Sequence, residues 1–181
     1  MPSVWHGIVC VVVAVFIYQS MMPTTVQVVT EVIITGSQTE IFVFLSNLTR
    51  VLELQKERKV DLGESMMEDS ITIDHYKMID AIPIFGLFSY QINYDTFLSK
   101  FQENYTISST FNVESGFTHG KTVWTLHDVT NDSGQLTSRL IEHFTATCPW
   151  IFSHFTQAVA AKEHYEILSS VKERIEAGAN M

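Results

Sequence analysis

Residues 145–176 read TATCPWIFSHFTQAVAAKEHYEILSSVKERIE, the end of an alternating run followed by a long periodic one. Pro149 suits a first helical position, with Thr147 or Cys148 before it as cap. Beyond it Phe152, Phe155, Ala158, Ala161, Tyr165, Leu168, Val171 or Lys172, and Ile175 recur at three- and four-residue steps until Gly178 supplies a stop. The spacing predicts one helix of about 30 residues, long enough to span a small domain and obliged to lay one face on another element.

Working back from that helix, the preceding residues alternate with period two. Strands are expected at Lys121 to Val129 and Leu136 to Thr147, with turns at Gly116 to Gly120 and Asn131 to Gly134. Burial demands that Trp124 and Leu126 share a face with Leu140 and Phe144, which sets Leu126 opposite Leu140 and turns Glu142 inward. A slip of one residue would oppose apolar side chains to Arg139 and His143. Earlier still, Phe88, Tyr90, Ile92 and Tyr94 occupy one parity and Ser89, Gln91, Asn93 and Asp95 the other, a strand with one dry face. Tyr105, Ile107, Phe111 and Val113 repeat the pattern, and Lys56 to Gly63 and Ser70 to Asp80 are further strands. Thr25 to Thr35 is β-branched up to Gly36, a strand as well. Ser37 and Glu40 then offer a helix cap before Ile41, Phe42, Leu45, Leu48 and Leu52, which recur at helical spacing and give one or two short helices.

The 181 residues are 46% hydrophobic and 17% charged, which excludes a disordered chain. Eleven basic against 20 acidic side chains give a net charge of −9, a poor footprint for phosphate neutralisation, so nucleic-acid binding is set aside. Cys10 lies inside an apolar run, so a bridge to Cys148 is not expected, and the redox compartment stays open. Ile8 to Tyr18 is uninterrupted apolar sequence, and no Asp, Glu, Lys or Arg precedes Glu31. With its flanks, residues 4–22 approach the ~20 residues that cross a bilayer, Trp5 and Tyr18 serving as interfacial anchors. A cleaved signal peptide would have an apolar stretch of this length, but the basic leader and small-residue cleavage site are missing, so a retained single-pass anchor over residues 1–23 is preferred. Arg50 is the first basic residue, too distant to orient that span. Glycosylation sequons at Asn47, Asn104 and Asn131 lean toward a lumenal or extracellular domain.

The order is therefore strand, short helices, six antiparallel strands and one long helix, within a single domain over residues 24–181. This resembles the START-like superfamily, the polyketide cyclase, lipid-transport and birch-pollen-allergen fold. VVTEVIITGSQTEIFVFLSNL is similar to the family's opening strand and helix, and the 145–176 stretch to its last strand and closing helix. Ser37 stands where many members have Pro, and no Trp occurs near Leu54. The resemblance implies an α+β helix-grip fold, a curved seven-stranded antiparallel sheet wrapped around the C-terminal helix. It also implies a cavity for a lipid, sterol, quinone or similar molecule. Phe88, Tyr90, Phe111, Trp124, Leu126, Leu140 and Phe144 would then face Phe155, Val159 and Tyr165, with Glu142 and His75 as polar groups that orient the ligand. The alternative for these aromatics is a filled core.

Catalytic patterns are few. Asp74-His75, His127-Asp128 and Glu142-His143 are adjacent strand residues, so in each pair one side chain points inward and one to solvent, and no acid-base dyad forms. Glu142, inward beside Trp124, is either a ligand's hydrogen-bond partner, a general acid, or a structural carboxylate. Gly116 to Thr122 is one residue short of a phosphate-binding loop and precedes a strand, not a helix. No metal-ligand spacing, cofactor motif or nucleophile elbow occurs, so no metal site or cofactor is expected. The expected function is membrane-anchored binding or transfer of a hydrophobic small molecule, with Ile82 to Phe88 as a candidate membrane-touching lip. A cyclase or dehydratase using Glu142, and a protein-interaction module with a filled core, are the alternatives.

Overall fold

A computed structural model describes residues 13–54, 59–68, 71–84, 88–113, 118–130 and 136–178. Residues 13–20 are helical (α1), and β1 (Pro23–Thr35) leads through two short helices, α2 (Gln38–Leu45) and α3 (Leu48–Leu52), into β2 (Lys59–Glu68). Then follow β3 (Ile71–Ile84), β4 (Phe88–Phe101), β5 (Thr106–Val113), β6 (His119–Thr130), β7 (Leu136–Pro149) and the closing helix α4 (Ser153–Gly178). The seven strands form one antiparallel sheet in the order β1-β7-β6-β5-β4-β3-β2, so the first strand joins the last and α2 and α3 cross to the far edge.

The alternation read from the sequence governs this sheet. Leu126 pairs with Leu140 and Trp124 with Glu142, the register that burial of both apolar sets requires. Ser37 caps α2, its Oγ accepting the Glu40 N–H at 3.2 Å, and Asn47 caps α3 through the Arg50 N–H at 3.2 Å. The C-terminal half of α4 packs Ile167, Leu168, Val171 and Ile175 against Ile34, Ile41, Leu45, Leu126 and Leu140, a dry core at one end of the sheet. Glu176 reaches across to accept the Thr35 N–H at 3.0 Å, which pins the last turns of the helix to β1.

Two expectations are corrected here. The closing helix begins at Ser153, not at Pro149, and has 26 residues. Pro149 stays extended (φ −56°, ψ 138°) because it pairs with Pro23, and a 3-10 turn over Trp150–Phe152 intervenes, its Trp150 N–H donating to the Met22 carbonyl at 2.8 Å. Leu168, Val171 and Ile175 are buried as expected, but the expected face fails further toward the N-terminus of α4. Ala158, Ala161 and Tyr165 are exposed, while Ala160, Ile167, Leu168, Val171 and Ile175 are buried.

Among the described residues no helix is long and apolar enough to cross a membrane. Of the expected anchor, residues 1–12 lie outside the described residues, as does Cys10. Within α1, Val13, Val15, Phe16, Ile17 and Tyr18 are all exposed. Residues 85–87 of the expected lip also lie outside the described residues.

One polar cluster is built into the inner face near β3. Asp74 accepts from Ser65 Oγ at 2.8 Å and Tyr76 Oη at 3.3 Å and is paired with Lys100. Burial pushes the Asp74 carboxyl up, but Lys100, Ser65 and Tyr76 together hold it below the ordinary aspartate value. The Tyr76 hydroxyl is pushed up to about 12 by its own burial and by the Asp74 charge. A carboxyl depressed in the folded state stabilises the protein above its unfolded value of 3.8, and that contribution is lost as pH falls through the lower, folded value. Asp74→Asn should therefore lower unfolding free energy at pH 7 by about 2 kcal/mol. It should also remove part of the acid-induced loss seen below about pH 4, both read from urea titrations across pH.

Candidate ligand cavity

The N-terminal half of α4 does not close on the sheet as the C-terminal half does. Thr156, Val159 and Ala160 are small, and they stand over β4 to β7 where Ile92, Tyr94, Phe111, Trp124 and Phe144 point inward. Between them lies a cavity of about 460 Å³, within the usual range of small-molecule sites. Leu48, Val51, Met78 and Ile167 bound its inner end. Phe152 lines it while 53% exposed, which marks where it meets the surface.

Aromatic rings set the shape of the wall. Phe111 and Phe144 lie parallel, 5.9 Å apart with 8° between planes, and Tyr94 meets Phe111 edge-on at 6.2 Å. Phe111 can lie where it does because Gly120 is opposite it in the β5–β6 ladder. A Cβ at Gly120 would stand 2.6 Å from the Phe111 ring and 2.4 Å from the Thr145 carbonyl oxygen.

Polar groups enter the wall sparingly. Thr96, Ser109 and Thr122 line it from the sheet, and Glu163 and His164 from the helix; no Lys or Arg does so among the described residues. Glu142, 1% exposed, lies behind the wall. Its Oε1 accepts the Trp124 Nε1–H at 2.9 Å and is 2.7 Å from His164 Nδ1. The His164 ring packs at 4.5 Å on Phe144. Glu142 Oε2 and Thr96 Oγ1 are buried without a protein partner.

Of the side chains expected at a ligand, Phe111, Trp124, Phe144, Phe155 and Val159 line the cavity. Leu126 and Leu140 instead fill the dry core beyond its inner end. Phe88 and Tyr90 share the parity of Ile92 and Tyr94 on β4, but their side chains lie outside the described residues. Tyr165 is 63% exposed and points to solvent; the helix position that faces inward is its neighbour His164. His75 is on the outer face, its Nε2 2.7 Å from Asp95 Oδ1 and its ring stacked on Phe97 at 4.7 Å, because strand parity puts Asp74 and Tyr76 inside. Glu142 and His143 do point to opposite faces. His127 and Asp128 are both exposed near the end of β6. Lys121 and Thr122 sit on β6 facing opposite ways, and Gly116 and Phe117 of the glycine-rich stretch before them lie outside the described residues. Asn47 and Asn104 are exposed, and Asn131 lies outside the described residues.

His164 was missed because an imidazole does not enter an apolar stripe. Its spacing was nevertheless visible, four residues after Ala160 and four before Leu168.

No protein-family model matches the sequence, and no curated protein matches it. Solved structures do. An aromatase/cyclase from Streptomyces sp. R1128, Zhui, superposes with a TM-score of 0.66 at 10% identity, covering 84% of this chain and 94% of that one. A START superfamily protein from Mycobacterium smegmatis gives 0.61 at 12% identity, covering 83% and 97%. The chain has the START-like helix-grip fold. Norcoclaurine synthase from Thalictrum flavum, solved in complex with dopamine and hydroxybenzaldehyde, gives 0.56 at 12% identity over 89% of this chain and 91% of that one. At these identities the helix-grip likeness is one of fold.

The Gly120 contacts make a direct test of the wall. Gly120→Ala should destabilise the fold by about 2 kcal/mol, since neither the strand carbonyl nor the stacked Phe111 ring can withdraw cheaply. Thermal unfolding of the variant beside the parent reads it.

Proposed function

We propose that this chain binds an apolar small molecule in the helix-grip cavity and does so at a membrane, holding it for storage or transfer. The observation that carries the reading is the cavity itself, about 460 Å³ walled by aromatic and aliphatic side chains and open beside Phe152. Burying apolar ligand surface there stabilises a complex by about 25 cal/mol per Å² before the costs of association. The aromatase/cyclase and synthase neighbours support a small-molecule cavity at the level of the fold.

The membrane half of the proposal rests on the apolar N-terminal sequence and on where it enters the domain. Exposed Trp150 and Ile151 adjoin Phe152 at the cavity opening, and Trp150 is hydrogen-bonded to Met22 at the end of the apolar segment. An anchor at residues 4–22 would thus hold the opening against the bilayer, the source of a water-insoluble ligand. The strand ends Ile84 and Phe88 leave the sheet at this same end. The sequons support a lumenal or extracellular placement of the domain, which belongs to the same proposal.

A second reading, an enzyme of the cyclase type, draws on one feature, the imidazole of His164 in the wall with Glu142 behind it. In that reading His164, and not Glu142, is the group that meets substrate.

The full chain, produced in eukaryotic secretory cells and weighed in its native state, is expected to carry a discrete apolar compound that is lost on denaturation. Ala160→Phe, which fills the cavity from the helix, should abolish the extra mass while leaving thermal unfolding cooperative. A bare parent protein would overturn the binding reading. Alkaline carbonate should leave the chain in the membrane pellet, whereas its release would remove the anchor and leave the cavity proposal standing. A mass decrease on deglycosylation would place the domain in the secretory lumen.

A further inference from the structure

Resting on the binding function proposed above, the structure carries the ligand's chemistry one step further. Glu142 Oε1 accepts from Trp124 Nε1–H and stands 2.7 Å from His164 Nδ1. Trp124 Nε1–H takes one lone pair of Oε1, and a second lone pair is what the oxygen offers to Nδ1, so Nδ1 is assigned as the nitrogen that carries the proton and donates it. Nε2 is then left with a lone pair in the neutral ring. Contact with Phe144 at 4.5 Å holds the ring plane. His164 is a cavity-lining residue, and with Nδ1 committed to Glu142, Nε2 is the atom left for a ligand.

What Nε2 asks of a ligand is an O–H. A carboxylate or phosphate head would meet Glu163 in the wall and Glu142 behind it, with no Lys or Arg lining the cavity among the described residues. A hydroxyl brings no charge and donates to a bare imidazole nitrogen. A second observation also calls for a polar ligand atom. Thr96 Oγ1 is buried in the sheet wall, 4% exposed as a residue, and finds no protein partner, a state that costs free energy unless something else satisfies it. Between Thr96 and His164 stand the parallel rings of Phe111 and Phe144, a flat apolar surface.

We infer that the cavity selects a flat apolar alcohol or phenol whose hydroxyl donates to His164 Nε2. Glu142 is a positioning residue that sets the tautomer of that imidazole, and Thr96 offers a second hydrogen bond to an oxygen elsewhere on the ligand.

The test uses 2-naphthol and its methyl ether, 2-methoxynaphthalene, which differ in the O–H alone, titrated calorimetrically into the full chain. Naphthol should bind about tenfold more tightly, the size of one net hydrogen bond. His164→Leu should bring the two within about twofold, the ratio of the two affinities being the readout. Equal affinities in the parent protein, or a preference that survives His164→Leu, would overturn the inference and leave the cavity reading intact. Binding of neither probe would overturn both. Should His164→Leu fold poorly, nitrogen-15 NMR of histidine-labelled parent protein decides: Nδ1 protonated and Nε2 bare, with Nε2 moved by naphthol but not by the ether. A protonated Nε2 facing the ligand would overturn the assignment. Glu142→Ala should mix the two tautomers in the same spectrum, a change that loss of packing alone would not produce.

Discussion

One helix must cover the inner face of seven strands, and the rest of the structure follows from how α4 meets that demand. Its C-terminal half carries Ile167, Leu168, Val171 and Ile175 and, with α2 and α3, makes a dry core over one end of the sheet. Its N-terminal half presents Thr156, Val159 and Ala160, side chains too short to reach β4 and β5. Interiors of folded proteins are packed nearly as densely as crystals, so a volume of about 460 Å³ left over an aromatic wall is a feature of side-chain choice and not slack in the fold. Gly120 serves the same end from the sheet side. By carrying no Cβ it lets Phe111 lie flat along the wall instead of standing into the cavity.

Glu142 is the second constraint. It is 1% exposed, and a carboxyl so placed is destabilising where its oxygens lack partners. Partners come from β6 in Trp124 and from α4 in His164, so three elements meet at one oxygen. His164 lies one turn beyond Ala160 and one before Leu168. Holding it at Glu142 therefore fixes the rotation of α4 about its axis, and with it which residues face the cavity. Apolar packing alone would specify that rotation loosely along the half of the helix where the stripe is weak. A directional hydrogen bond specifies it closely.

How much of this was legible in the sequence varied with how strictly a period had to be obeyed. Strand registers were readable because a one-residue slip exposes every apolar side chain at once, and the Leu126 to Leu140 pairing followed from that alone. The start of α4 was not. Pro149 serves a helix and an extended strand equally well, and the partner that decides, Pro23, is remote in the chain. The helix face was misjudged at Tyr165 for a related reason. A helix that lines a cavity need not be apolar there, so Thr156, Glu163 and His164 broke the stripe on which the phase was judged. Thr96, Ser109 and Thr122 continue the inward parity of Tyr94, Ile107 and Trp124, but as polar residues they entered no apolar pattern and were not singled out as wall residues. His75 erred in the opposite sense, a plausible polar ligand contact that strand parity places outside. The periods gave the frame, and the polar part of the wall lay where they are least informative.

The β1–β7 ladder has one further consequence for how a ligand could arrive. Because Pro23 pairs with Pro149 and Met22 accepts from Trp150, the chain enters the domain beside the turn that opens the cavity. Whatever environment receives the apolar side chains of α1 therefore also meets Trp150, Ile151 and Phe152, each about half exposed. In water this arrangement leaves Trp150, Ile151 and Phe152 exposed in succession at the cavity opening. In the membrane reading proposed above, lipid would cover that surface. The turn at the cavity opening and the end of the apolar N-terminal segment are thus neighbours in space as well as alike in character.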